Sequence, residues 1–193
     1  MTSDLEIRSE LGSRSVVLVG IMGSGKSAVG QRLATRLEMA FADADTEIVA
    51  TANGMSIPEM FEKYGEGHFR LLERKVIARL LNSGPLLLAT GGGAFMDAST
   101  RAAVRMLSVS IWLKAEFGVL LERINRRGIS ARPMLRGSDP AEKLKRLMDE
   151  RYPIYGMADL TIESTNMSHD EMVSKVVEAL RGFLRRTTPA RSS

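Results

Sequence analysis

The chain of 193 residues contains no cysteine, which excludes disulfide frameworks, thiolate metal sites and thiol nucleophiles from its chemistry. Histidine occurs only twice, as His68 and His169, too few and too separated for a catalytic dyad; both are expected at the surface or at the edge of the core. Long apolar runs are missing as well. The longest, residues 16–22 and 85–89, fall far short of a bilayer's thickness. Residues 1–15 mix Asp4, Glu6, Arg8, Glu10 and Arg14 with few apolar side chains, unlike the basic start and continuous apolar core of a secretion signal. A cytoplasmic protein with no membrane partner is expected. Acid is absent from one region, residues 179–193, which carry Arg181, Arg185, Arg186 and Arg191 and no Asp or Glu. Those four arginines account for the whole formal charge of +4. The rest of the chain is therefore neutral, and the basic excess belongs to the C-terminal segment 179–193, which runs into a solvated tail (residues 185–193), rather than to a nucleic-acid surface.

What is present is an alternation of short apolar strands and amphipathic helices. Residues 16–20 form a β-branched run ahead of a glycine-rich turn, the pattern of a strand buried on both faces. Val29, Leu33 and Leu37 then recur every four residues, one buried helix face. Further strands are expected over 40–43, 85–90, 108–113 and 160–163. Helices are expected over 46–82 with breaks near Gly54 and Gly65, and over 97–106, 116–126 and 168–184. Asp139 before Pro140 reads as another helix start. Residues 127–138 are polar, rich in Arg and Gly and without a period, and read as a mobile loop. The length suits one domain with its own core, and strand–helix alternation implies right-handed crossovers, hence a parallel sheet between two helical layers, a three-layer α/β/α sandwich.

Gly20-Ile-Met-Gly-Ser-Gly-Lys26-Ser27 fits the spacing G-x4-G-K-[ST] and sits between a strand and a helix, as its mechanism requires. Glycines let successive N–H groups curl around phosphates, Lys26 reaches the β- and γ-phosphates, and the Ser27 hydroxyl binds Mg²⁺. The helix that follows turns its positive end toward the triphosphate. ATP and Mg²⁺ are the ligands this loop implies. A second acid for the metal is not found after the strand at 85–90, which ends in Gly91, Gly92 and Gly93. Asp43, at the carboxyl end of the strand at 40–43, takes that part. In an extended segment Asp43 and Asp45 would share one face, and the reading assigns Asp43 to Mg²⁺ through water and Asp45 to an acceptor hydroxyl. The competing reading makes Asp45 a helix cap.

Arginine outnumbers lysine by 20 to 7, so most arginines must be ordinary surface charge. Arg70 and Glu73 lie three apart on a helix whose buried stripe is Phe69, Leu72, Val76 and Leu80. They form either a surface pair or an arginine held by Glu73 and aimed at a substrate carboxylate. The triple glycine either stops a strand or lets backbone amides approach a ligand.

Taken in order, Gly20 to Ser27, Asp43-Ala-Asp45, Gly65-Glu66 with Phe69, Arg70 and Glu73, the triple glycine, Arg132-Pro-Met-Leu135 and Arg151-Tyr-Pro-Ile-Tyr155 resemble the shikimate kinases. The resemblance implies the nucleoside-monophosphate-kinase-like fold, five parallel strands in the order 2-3-1-4-5 with a mobile lid. It also implies MgATP-dependent phosphorylation of the shikimate 3-hydroxyl by a monomer with no nucleic-acid partner. By that resemblance residues 16–184 are the kinase domain, with a substrate-binding segment near 45–75 and a lid near 127–138. Gly23, Ser24, Gly25, Lys26, Ser27, Ala28, Arg123 and Arg132 would bind ATP, with Arg126 an alternative to Arg123 at the adenine. Asp45, Arg70, Gly91, Gly92, Gly93 and Arg151 would hold shikimate, and Lys26, Asp45 and Arg132 would carry the catalysis. Ala28 and Met134 stand where the family usually has Thr and Leu.

Overall fold

The computed structural model describes residues 4–127 and 139–187. Within them five strands, β1 (Ser15–Val19), β2 (Ala40–Asp43), β3 (Leu86–Ala89), β4 (Ser108–Ala115) and β5 (Leu160–Ser164), form one sheet in the order β2-β3-β1-β4-β5. Every neighbouring pair is parallel; Val16 stands opposite Leu87 on one side and Val109 on the other. Parallel strands need a crossover between them, which is why each strand is followed by helix. The order matches the expectation drawn from the resemblance.

Side chains alternate across the strands, so β1 feeds two cores at once. Val17 and Val19 point into one layer with Ile48, Phe69, Ile77, Leu88, Trp112 and Tyr155. Val16 and Leu18 point into the other with Leu33, Leu87, Ile111, Leu113, Val176 and Leu180. The first layer is built by α3 (Ala44–Thr51), α4 (Ile57–Asn82), α5 (Ala98–Leu107), α6 (Phe117–Arg127) and α7 (Pro140–Tyr155). The second contains α2 (Lys26–Arg36) and α8 (His169–Thr187). The edge strands β2 and β5 are less buried than the inner three, because each has a neighbour on one side only.

Two local features set the site. At Gly65 the backbone takes φ 77° and ψ 168°, a region open mainly to glycine. The helix therefore bends there, and the half that carries Arg70 and Glu73 is re-aimed. Ser56 opens α4 with a capping box, its hydroxyl accepting from the Glu59 N–H while Glu59 accepts from the Ser56 N–H at 2.8 Å.

Residues 4–11, ahead of the 16–184 kinase domain that the resemblance implies, form an additional helix, α1 (Asp4–Leu11). Its Ile7 and Leu11 are buried in the layer shared with α2 and α8. Asp4 accepts from Arg36 of α2 at 2.8 Å and from Arg181 of α8 at 3.4 Å, bridging the two helices.

Candidate functional site

All five strands point their carboxyl ends at one edge, where ligands collect in sheets of this kind. The loop after β1 passes through Gly20 and turns into α2 at Lys26, with Gly25 as the preceding cap residue at φ 94°. Lys26 Nζ donates to the carbonyls of Gly20 at 2.8 Å and Ile21 at 2.9 Å, which folds the ammonium over the loop that carries it. The Ser27 hydroxyl donates to Asp43 Oδ2 at 2.6 Å, so the two oxygens proposed for the metal converge from the start of α2 and the end of β2. Among the described residues no cluster of three or more His, Cys, Asp or Glu could hold a metal ion by itself. Mg²⁺ does not ask for one, since it keeps several waters and takes one or two protein oxygens beside the phosphates of its nucleotide. Ser27 and Asp43 fit that requirement.

Asp43 and Asp45 both line the cleft, but from different elements. Asp43 ends β2 and is the N-cap of α3, its Oδ1 accepting from the Asp45 N–H at 3.0 Å. Asp45 belongs to the first turn of that helix. The capping acid is thus Asp43, and Asp45 is released from the capping part that its sequence position also allowed. The alternation that puts i and i+2 on one face of a strand does not apply, because the chain turns helical between them. Surrounding protein pushes the Asp45 carboxyl above its ordinary range and the charge of Asp43 adds to this, while Lys26 and Arg70 pull it back.

Arg70 reaches across to Glu73 at 2.7 Å and to Glu66 at 3.1 Å. The Glu73 side chain is only 4% exposed, which removes the surface-pair reading: a carboxylate that deep is there to hold something. Burial pushes its pKa up, with Arg70 opposing; the same carboxylates keep the Arg70 guanidinium charged against its own burial.

The triple glycine lies against these groups. A β-carbon on Gly91 would stand 2.8 Å from Glu73 Oε1 and 2.9 Å from Asp45 Oδ1, and one on Gly93 would stand 2.6 Å from the Arg70 guanidinium nitrogens. A β-carbon at either position would displace a side chain of the site, so these glycines do more than end the strand. Arg151, on α7, is buried and donates to the Gly92 carbonyl at 3.0 Å.

Together these residues line one cavity of about 820 Å³. Lys26, Ser27, Ala28 and Asp43 stand toward one part of the wall. Asp45, Arg70, Glu73, the three glycines and Arg151 form another, and Met22, Ile57, Pro58, Phe61 and Phe69 supply an apolar side. In the sequence that apolar side is signalled only by the placement of Ile57, Phe61 and Phe69 along α4. A second cavity of about 430 Å³ adjoins Gly23 and Gly25 and is lined by Arg123, Arg126, Asn166, Met167 and the exposed His169. Arg123 donates to Ser164 Oγ at 3.0 Å and the Thr165 carbonyl at 2.7 Å, whereas Arg126 pairs with Glu122 of its own helix. His68 is exposed beside Tyr64. Arg132 and residues 128–138 of the expected lid, Met134 included, lie outside the described residues, as does most of the basic tail. Among the described residues no helix is long and apolar enough to cross a membrane.

Comparison with known proteins is consistent with this geometry. The family profile described as "Shikimate kinase" matches residues 22–181. A shikimate kinase of Bradyrhizobium diazoefficiens is 54% identical over 181 residues, covering 94% of this chain and 86% of its own. One from Brucella canis is 49% identical over 184 residues, covering 95% and 90%. The solved structure of the Acinetobacter baumannii shikimate kinase in complex with shikimate superposes with a TM-score of 0.84 at 33% identity, covering 95% of this chain and 99% of that one.

Proposed function

The chain belongs to the shikimate kinase family and transfers the γ-phosphoryl group of ATP to the 3-hydroxyl of shikimate, and we propose that Lys26, Ser27, Asp43, Asp45, Arg70, the 91–93 loop and Arg151 carry that reaction. One observation supports the assignment above all. The phosphate loop and the acid, arginine and glycine groups line a single cavity, so donor and acceptor can be held in line without moving any strand.

Phosphoryl transfer asks a protein for positioning and charge neutralisation more than for covalent chemistry. Lys26, now folded onto the loop carbonyls, swings to the β- and γ-phosphates, and the 20–27 backbone cradles them. Ser27 and Asp43 would hold Mg²⁺, which would supply positive charge against the phosphate oxygens. Asp45 accepts a hydrogen bond from the 3-hydroxyl and takes its proton as the new P–O bond forms and the bond to the ADP oxygen breaks. Arg70, held by Glu73 and Glu66, and Arg151 receive the carboxylate, whose two oxygens match a guanidinium fork. Arg123 packs on the adenine. Arg132 closes over the phosphates as part of a lid near 127–138, within a kinase domain of residues 16–184, an assignment the resemblance alone carries. The enzyme works in the cytoplasm as a monomer without nucleic acid, in keeping with the neutral charge balance outside its basic C-terminal segment.

The test is acceptor-dependent ADP release by the purified chain with shikimate, gluconate and nucleoside monophosphates. Release with shikimate alone is expected; release with another acceptor at an equal rate overturns the substrate assignment. Asp45→Asn should keep ATP binding and lose most turnover, and a near-normal rate removes Asp45 from its role.

A further inference from the structure

The acceptor wall is held from behind by one helix. On α7, Arg151 and Tyr155 are four residues apart, so their side chains leave the same face one turn apart. Both end on one atom: Arg151 Nη1 donates to the Gly92 carbonyl oxygen at 3.0 Å, and the Tyr155 hydroxyl donates to the same oxygen. A carbonyl oxygen offers two lone pairs, and here both are taken.

Tyr155 is fully buried. Its ring lies 5.9 Å from that of Trp112, which meets Tyr152 edge-on at 4.9 Å. Trp112 in turn lies against the backbone of the phosphate loop, its Cδ1 3.5 Å from where a β-carbon on Gly20 would stand. Burial, against the pull of Arg151, raises the Tyr155 pKa, so the hydroxyl keeps its proton and stays a donor at neutral pH. A run of three glycines is the least restrained backbone a chain can have. The peptide unit is planar, so fixing the Gly92 carbonyl also fixes the direction of the Gly93 N–H on its far side.

We propose that Tyr155 is a positioning residue for the phosphoryl acceptor: by sharing the Gly92 carbonyl with Arg151, its hydroxyl fixes the glycine loop and the guanidinium in the arrangement that receives the substrate carboxylate. The proposal rests on the reading of Arg151 and the 91–93 loop as acceptor groups given above.

Tyr155→Phe keeps the ring and removes the donor. It should raise the KM for shikimate about tenfold, the worth of one well-placed hydrogen bond, and leave the KM for ATP unchanged. Tyr152→Phe is the control, since its hydroxyl bonds to the Ala115 carbonyl on the same helix's neighbour strand; both KM values should stay at wild type. Arg151→Lys, run alongside, should raise the KM for shikimate by more than Tyr155→Phe does. A wild-type KM for shikimate in Tyr155→Phe, with Arg151→Lys impaired, overturns the positioning role alone. A wild-type KM in Arg151→Lys overturns the acceptor-site reading itself. If Tyr155→Phe does not accumulate as folded protein, the wild-type chain labelled with fluorotyrosine answers instead. It holds three tyrosines, and Tyr64→Phe and Tyr152→Phe identify the Tyr155 fluorine signal by elimination. That signal should shift on adding shikimate and not on adding ADP; indifference to shikimate overturns the proposal.

Discussion

The Ser27 hydroxyl and the Asp43 carboxylate, sixteen residues apart in sequence, meet at 2.6 Å. The contact joins the start of α2 to the end of β2 and leaves both oxygens at the mouth of the phosphate loop. If they share Mg²⁺, Asp43→Asn should raise the Mg²⁺ concentration needed for half-maximal rate by about 10- to 100-fold. Binding of ATP in the absence of metal should be retained. Titrating Mg²⁺ at saturating ATP and shikimate checks this, and an unchanged midpoint removes Asp43 from the metal site.

Glu73 carries a prediction with a sign. Its folded pKa lies above the ordinary value of 4.5, chiefly through burial. A carboxyl raised in this way contributes stability that is present below the unfolded pKa and lost as pH rises through the folded one. Glu73→Gln does not titrate, so the variant's melting temperature relative to wild type should climb as the pH is raised above 4.5. Its KM for shikimate should nonetheless rise on the order of tenfold, because Arg70 loses the charge that aims it. Thermal melts across that pH range test the first half; a difference that is flat with pH contradicts it.

How far the sequence discloses these groups depends on the range of the interaction. The phosphate loop is legible because its spacing is local: the glycines, Lys26 and Ser27 fall within eight residues of one another. The strands and helices are legible for the same reason, since Val16 to Val19 or Val29, Leu33 and Leu37 display their period directly. The burial of Glu73 is not, because it depends on the bend at Gly65 and on Gly91, eighteen residues later. Nor does Asp45 announce its freedom: which of two acids caps α3 is decided by where β2 stops. Tyr155 stands inside a motif that the sequence displays, yet its hydroxyl's partner, Gly92, comes from another strand's end.

Residues 4–11 illustrate the same limit and supply a test. The periodicity of so short and charged a segment is weak, yet Ile7 is fully buried and Leu11 nearly so. Ile7→Ala should cost about 2–4 kcal/mol of stability, the usual penalty for emptying a filled core position. Since α1 touches neither cavity, kcat and both KM values of the folded variant should match wild type. Chemical denaturation measures the first quantity. A loss below about 0.5 kcal/mol would mean that α1 does not pack as described.

The sharpest separation of folding from function lies at Gly93. A β-carbon there would fall 2.6 Å from both terminal nitrogens of Arg70, a distance that no contact tolerates, while nothing else stands nearer. The obstacle is the far end of a long flexible side chain, so the guanidinium can swing away and the backbone need not move. The backbone at Gly93 has φ −99° and ψ −13°, a conformation alanine adopts without strain. Gly93→Ala should therefore fold with a melting temperature close to wild type. What it displaces is Arg70 from the pair with Glu73, and with it one of the two groups assigned to the substrate carboxylate. The KM for shikimate should rise by about 10- to 100-fold, the scale of a charge-assisted hydrogen bond, with the KM for ATP little changed. Arg70→Ala in the same background should add almost nothing, because the two changes remove one interaction and cannot count twice. Additive losses in the double variant would mean that Gly93 acts on the acceptor by some route other than Arg70.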